Sequence, residues 1–497
     1  MPRRYVQRSS GGQFVVKLGC QSDARSGRKP LGIRHPKGTN NTMSTSSTTK
    51  RVGLGLIAAT LAAGLTMGSG ISSVKADPTQ LDAYVGMGSD TTQDVINAMS
   101  GFNYGLDYNA INSGSATGYK HIISFNAAPA QTAGDNCITP VLNGPTFTRP
   151  NGSGAGRKAL YQATSGVGLG WTGASFTLDN STVLPTCATL VNISGAVNFA
   201  RSSSVGTTTG TDEVYVPFGR DAVTYISYRP GGGAALATLT RKNLIDAYAS
   251  ATRVTVADPD GTGTVTIVPC GVQTSSGTMS FFKTIVTLAS TGSEQAAVAL
   301  CTPAEVNRLQ ESKGDQLKAK GDAFYAGTLG AGAYTADTQL VVIAPMSAAG
   351  YIAQANGVSD PNGYTNVTLG GISDDGTTGT GGADLGSPTT GTAPNLAPNL
   401  TFYASAGVGR DVYNVFKRSS IINTGTGFTL TNGLVALFLD TNVAANGTAG
   451  APNNTSANNS SKLCQNSTVI EKFGFGQISN CGDYSLTKAW GSDAASA

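Results

Sequence analysis

The stretch that most limits what this chain can fold into is Leu81–Met99, LDAYVGMGSDTTQDVINAM. Leu81, Ala83, Val85 and Met87 alternate on one face as a buried strand does, and Gly86 and Gly88 break the pattern. Asp90 and Gln93 stand at capping-box spacing, and Val95, Ile96 and Met99 give the next segment a helical apolar stripe. A strand is therefore expected to pass through Gly-Ser-Asp-Thr-Thr into a helix N-terminus. Free amides and the positive end of the helix dipole sit there beside the hydroxyls of Ser89, Thr91 and Thr92, an arrangement that suits a small oxyanion. Taken alone, an ordinary capped helix accounts for the same residues.

The beginning of the chain reads differently. Residues 1–42 are basic and polar without sustained periodicity, as expected of an over-extended gene start. Residues 43–76 follow the plan of a secretory signal peptide: Lys50 and Arg51, an apolar run Val52–Met67, and a small-residue cleavage site at Val74-Lys75-Ala76. The run is short for a membrane span, and no cysteine follows it to carry a lipid anchor. Secretion or residence in the cell envelope is the expected localisation. Cleavage after Ala76 would leave 421 residues, which suits two lobes better than one core. The leader holds 12 of the 33 Lys and Arg residues and one of the 29 acids, so the remainder carries a net charge of −7. A basic surface for nucleic acid is not expected. Six cysteines remain, and pairing sequence neighbours (Cys137–Cys187, Cys270–Cys301, Cys464–Cys481) is the simplest of fifteen connectivities. No CxxC occurs, which makes metal or redox chemistry the weaker reading of these cysteines.

Glycine-serine turns recur before apolar segments. Asn109–Ile123 contains one such turn, Arg149–Tyr161 (RPNGSGAGRKALY) a second without P-loop spacing, and Val197–Ser204 ends a strand in hydroxyls. Glu213–Tyr228 is β-rich, with Pro217 and Gly219 in its middle, and could connect lobes. Thr240–Tyr248 reads as a capped helix, Thr264–Cys270 as a strand, Gln273–Leu288 as a Thr-Ser-Ser-Gly-Thr turn into a helix, and Gln339–Tyr351 as a strand entering another helix. Alternating strands and helices predict an α/β architecture. Residues 370–400 read as a long Gly/Thr-rich surface loop, after which Gly407–Phe416 resumes order. The N-x-[ST] sites, such as Asn180 and Asn366, fit composition alone in so Asn- and Thr-rich a chain.

Catalytic readings find little support. His121 is the single histidine after the leader, no G-x-S-x-G elbow is present, and Asp374 and Asp375 lie in the Gly/Thr loop. No enzyme, no cofactor and no metal site are expected. What recurs instead is a turn of hydroxyls and glycines at Ser89–Thr92, Gly152–Gly156, Arg201–Ser204 and Ser275–Thr278. Such neutral donors can bind a dehydrated tetrahedral anion without full charge neutralisation, although glycine-rich turns are common in a glycine-rich chain.

GSDTTQDV, RPNGSGAGRKAL, NFARSSS, VPFGRDAVTY, TSSGT followed by FF, APMSAAGYIAQANG and GRDVYNV occur in an order that resembles the phosphate-type solute-binding proteins of ABC transporters, in their divergent exported actinomycete-like branch. The resemblance runs through nearly the whole chain after the leader. It implies a class II periplasmic-binding-protein fold, two α/β lobes joined by two hinge strands and closing over the anion. The lobes would be 77–216 with 342–497, and 217–341, with hinges near Val216–Val223 and Val341–Pro345. By position, Ser89, Asp90, Thr91 and Thr92 match the family's first anion-contacting turn, and Ser153 and Gly154 its second, with Ser113 competing. Ser202 and Ser203 match the turn after the next strand, and Ser276, Gly277 and Thr278 the turn on the second lobe.

Two positions depart from that pattern. Ser203 stands where the better-known phosphate binders place an aspartate acceptor, and Val272 and Gln273 stand near their arginine. Arg201, Arg220 and Asp221 are the candidates to supply charge and acceptor, with an Arg220–Asp221 structural ion pair the competing reading. The resulting expectation is a monomeric exported binder that captures phosphate, or a similar oxyanion such as sulfate or molybdate, for an ABC permease. A secreted adhesion protein on the same fold and, further off, a phosphatase-like hydrolase are the alternatives.

Overall fold

The computed structural model describes residues 83–100, 121–128, 136–165, 170–171, 176–178, 182–184, 187, 191–249, 254–261, 263–286, 301, 308–327, 339–360, 363–373, 385–422, 433–441 and 459–491. The expected gene start, signal peptide, Ser113, Asn180, Asp374 and Asp375 lie outside the described residues. The opening unit forms as β1 (Ala83–Gly88) and α1 (Gln93–Met99), with Gly86 inside the strand rather than ending it. β2 (His121–Ser124), α2 (Ser153–Thr164), β3 (Phe199–Ser202) and the 16-residue β4 (Glu213–Tyr228) follow. Next come α3 (Arg241–Ala249), β5 (Val254–Ala257), β6 (Thr264–Pro269), α4 (Gly277–Ile285) and α5 (Gly314–Tyr325). β7 (Leu340–Ser347), α6 (Ala348–Ala355) and β8 (Gly409–Lys417) complete the elements that place the site.

The fold is α/β. A ten-stranded mixed sheet runs β5-β6-β7-β4-β8-β3-β1-β2, with Thr368–Leu369 and Thr487–Lys488 as short additions on β4. β4 organises it. Its first part, Glu213–Ala222, pairs antiparallel with β8, and its second part, Val223–Tyr228, pairs antiparallel with β7. A bulge between Pro217 and Gly219 absorbs the proline, which has no amide to offer the ladder. One strand thus belongs to both halves of the sheet. Parallel pairing of β1 with β2 and β3, and of β6 with β7, aligns strand C-termini, the ends at which open α/β sheets hold ligands.

Each half has its own apolar packing. Phe199, Phe416 and Phe438 meet at ring separations of 5.0–5.9 Å beside Val95, Ile96 and Ile122. In the other half Tyr248 meets Phe282 edge-on at 4.8 Å among Ile267, Val341 and Ile343. At Gly88, φ is +121° and a side chain would press into the Arg201 carbonyl and the Gly156 backbone, so only glycine lets β1 and α2 approach this closely. That approach brings Ser153 to the end of β1.

Several local expectations shift. The Asp90–Gln93 capping box does not form: Thr92 is the N-cap without a side-chain cap bond, and Gln93 Oε1 accepts from the Ala127 amide at 2.9 Å. The box forms instead at Thr240 and Asn243, whose side chains and amides bond reciprocally at 3.1 and 3.2 Å. Val341–Pro345 lies inside β7, held between β4 and β6, and the strand returning alongside the first part of β4 is β8. Within 370–400, Gly371–Ser373 pairs with Thr238–Thr240, and Thr389–Thr390 with Ala397–Pro398, so its described parts are not simply irregular. The three disulfides link Cys137–Cys187, Cys270–Cys301 and Cys464–Cys481.

Beneath α2, Arg157 and Glu213 form a buried ion pair at 2.7 Å, with Tyr215 Oη donating to the same carboxylate at 3.1 Å. Glu213→Gln leaves a buried guanidinium without its countercharge, and urea unfolding should show a loss of about 3–5 kcal/mol. A loss below about 1 kcal/mol would mean that water or another acceptor takes over.

Candidate functional site

The hydroxyl turns from both halves of the sheet meet in one buried cluster. Ser89 Oγ, just beyond β1, donates to Ser203 Oγ, just beyond β3, at 3.2 Å. Ser153 Oγ, at the start of α2, accepts from the Ser203 amide at 3.0 Å and lies 3.3 Å from its hydroxyl. From the other half, Gly277 opens α4 against this pair, and a methyl there would collide with both Ser203 Oγ and Ser153 Oγ. Thr278 Oγ1 stands 3.1 Å from Thr91 Oγ1. Ser276 caps α4, accepting from the Met279 amide at 3.0 Å. α2 and α4 both begin at this cluster, with the Gly154 amide bonded to the Ser275 carbonyl and the Met279 amide to Ser276 Oγ.

The cation is Arg410, a residue not singled out from the sequence. Its Nε and Nη2 donate to Asp221 Oδ2 at 3.1 and 2.8 Å, and Nη2 also reaches Thr278 Oγ1 at 2.6 Å and Thr91 Oγ1 at 3.3 Å. The guanidinium lies 5.8 Å from the Phe281 ring centre. Arg410 Nη1 and Thr92 Oγ1 are buried and make no hydrogen bond among the described residues. A signal for Arg410 was present. Gly-Arg-Asp occurs at 219–221 and again at 409–411, and β4 and β8 pair antiparallel with Arg220 opposite Asp411 and Asp221 opposite Arg410. Alternation then sends one ion pair to each face of the sheet.

The other charged candidates act elsewhere. Arg220 bonds Asp411 at 2.8 Å and the Tyr403 carbonyl at 2.9 Å on the outer face, and Asp221 pairs with Arg410 rather than with Arg220. Asp221 is saturated by Arg410, by Ser347 Oγ at 2.9 Å and by the Ala349 amide at 3.1 Å, and so anchors α6 and Arg410 together. Arg201 is fully buried behind the first turn, clamping the carbonyls of Gly88 and Ser89, both at 3.2 Å. Burial lowers its pKa to about 9 against the pull of Asp90 and Asp94. Ser202 Oγ turns back to the Ser204 carbonyl at 2.6 Å, and the Gly154 amide is taken by the Ser275 carbonyl at 3.2 Å.

Two carboxylates share the cluster. Glu311 accepts hydrogen bonds from Thr91 Oγ1, from Ser276 Oγ and, at 2.7 Å, from Thr278 Oγ1. Asp90 accepts from the side-chain amide of Gln310 and, at 3.1 Å, from that of Gln273, while both amides also bond Asn151 Oδ1 at 3.0 and 3.2 Å. Burial, then the neighbouring Glu311 charge, push the Asp90 carboxyl well above the usual carboxylate range despite Gln310 and Arg201. Glu311 and Gln310 carried no motif that could have identified them, and Asn151, though inside the Arg149–Tyr161 turn, was not singled out there. His121 begins β2, and its side chain lies outside the described residues.

No protein-family model matches this chain, and no curated protein matches it. Among solved structures it is similar to a phosphate-binding protein from Stenotrophomonas maltophilia, at 14% identity over 80% of this chain and 91% of that one, with a TM-score of 0.33. It is also similar to a DING protein (15%, 80% and 92%, 0.37). A human phosphate-binding apolipoprotein is a further similar structure (13%, 81% and 92%, 0.36).

Because Asp90 holds its proton more tightly in the folded chain than in the unfolded one, its contribution to stability is complete below the ordinary aspartate value of 3.8. That contribution drains away as pH rises through the higher folded value. Thermal melts of wild type and Asp90→Asn between pH 4 and 8 should therefore diverge, the wild type losing more on the alkaline side. Parallel curves would show that the carboxyl ionises in its ordinary range.

Proposed function

We propose that the chain is an exported solute-binding protein that captures a tetrahedral oxyanion, phosphate foremost, between two α/β lobes and hands it to an ABC permease. The lobes would be those of a class II periplasmic-binding-protein fold, with β4 and β8 as the strands between them. The observation that carries this reading is the convergence of Ser89, Thr91, Ser153 and Ser203 from one half of the sheet with Ser276 and Thr278 from the other, around Arg410. Neutral hydroxyls, helix N-termini and one guanidinium suit an anion bound by donors rather than by opposite charge.

Thr91 and Thr278 come from opposite halves of the sheet, so a ligand that bonded both would favour the closed arrangement over an open one. Specificity would follow from the acceptors. A ligand lying near the Glu311 carboxylate is better tolerated when it carries a proton to share, which favours hydrogen phosphate over sulfate.

Calorimetry of the chain lacking residues 1–76 against phosphate, sulfate, arsenate and molybdate should give heat with phosphate and arsenate and little with sulfate. Absence of heat with all four removes the reading, and preference for sulfate or molybdate replaces the ligand. Arg410→Gln should weaken phosphate binding by about 100-fold, the order expected when a desolvated guanidinium loses its anion.

A further inference from the structure

Glu311 is anomalous in a cluster built of donors. Each hydroxyl has one proton, and a proton directed at Glu311 is withheld from any ligand. The surroundings fix that direction. Arg410 Nη2 donates to the oxygens of Thr91 and Thr278, and the Met279 amide donates to Ser276 Oγ, so all three hydroxyl protons point away from those donors and toward Glu311. A polarised set of hydroxyls backed by a guanidinium and a helix N-terminus is what an oxyanion would meet, and a carboxylate of the chain itself lies on it.

The main chain at Glu311 is held from several directions. Its amide donates to Gln273 Oε1 at 2.8 Å, and the Gln310 amide donates to Gln316 Oε1 at 2.7 Å. The Ser312 carbonyl accepts from Gln354 Nε2 at 2.7 Å, and Ser312 itself sits at φ 65°, a left-handed conformation that serine adopts only when its neighbours require it. With the backbone so fixed, any departure of the carboxylate from the hydroxyls is a rotation of the side chain. Arg410 Nη1 and Thr92 Oγ1 face no acceptor among the described residues, so donor capacity remains that Glu311 does not use.

We propose that Glu311 is a tethered anion, which occupies the oxyanion's place in the empty protein and must yield the hydroxyls of Thr91, Ser276 and Thr278 before a ligand can take them. This rests on the oxyanion reading above. Binding is then an exchange of one anion for another, and the observed affinity is lowered by the fraction of molecules in which Glu311 holds the site. The tether also leaves Thr91 and Thr278, which accept from Arg410, with an acceptor for their own protons when no ligand is present.

The test is titration calorimetry with inorganic phosphate on wild type, Glu311→Gln and Glu311→Asp, each checked for a cooperative thermal transition. Glu311→Gln removes the charge at nearly constant shape and should bind phosphate roughly ten-fold more tightly or better. Glu311→Asp keeps the charge but withdraws it by one methylene, and should fall between the two. If Glu311→Gln does not fold, the aspartate variant decides alone. Affinity equal to or weaker than wild type in the folded variants overturns the tethered anion while leaving phosphate binding in place. Absence of heat from all three proteins overturns the oxyanion reading itself.

Discussion

The ion pair between Asp221 and Arg410 is the contact on which the rest of the site depends. It lies where β4 stops pairing with β8 and begins pairing with β7, so one carboxylate ties the two halves of the sheet to each other. Asp221 also receives Ser347 and the Ala349 amide, which seats α6 on the same point. Both partners are nearly inaccessible to water, and a buried pair of this kind is tolerable only when its remaining donors and acceptors are used. Here Arg410 Nη2 also donates to Thr91 and Thr278, while Nη1 makes no hydrogen bond among the described residues. The desolvated pair thereby directs hydroxyls from two distant parts of the chain toward one point.

Its mirror image shows how register creates function. Arg220 and Asp411 have the same sequence surroundings as Asp221 and Arg410, yet they form a half-exposed pair on the outer face. Such a pair contributes little beyond local order. A shift of one residue in the pairing of β4 with β8 would exchange the two faces and remove the cation from the hydroxyl cluster. The bulge at Pro217–Gly219 sits just before the first Gly-Arg-Asp and sets that register.

This explains what could be read from the sequence. The turns at Ser89–Thr92, Ser153 and Ser276–Thr278 were legible because glycine, hydroxyls and the start of an apolar stripe are local signals, and strand and helix types followed from periodicity. Arg410 was legible only as a repeated Gly-Arg-Asp, since its role exists only once two strands 189 residues apart are placed in register. Glu311 was less legible still: it lies in an irregular segment and meets Thr91 across 220 residues with no pattern around it. Asp90 misled for the opposite reason. Its spacing to Gln93 is that of a capping box, but tertiary amides from Gln273 and Gln310 compete for the carboxylate and win.

The charge pattern of the cluster follows from the same tension. Asp90, Asp221 and Glu311 face the guanidiniums of Arg201 and Arg410, and all five are buried. Arg410 is committed to Asp221, and Arg201 is held behind the turn by main-chain carbonyls and Ser124 Oγ, so the bonds that reach the hydroxyls from either cation are those of Arg410 to Thr91 and Thr278. What remains at the centre is a set of hydroxyl dipoles whose direction the cations determine. Dipoles held in this way keep their orientation whether the acceptor is a side chain or a small ion, and cost no reorganisation when one replaces the other. An acceptor drawn from the chain itself keeps those dipoles satisfied at every moment. The cluster can then stay buried and closed around polar groups that would otherwise be costly to bury.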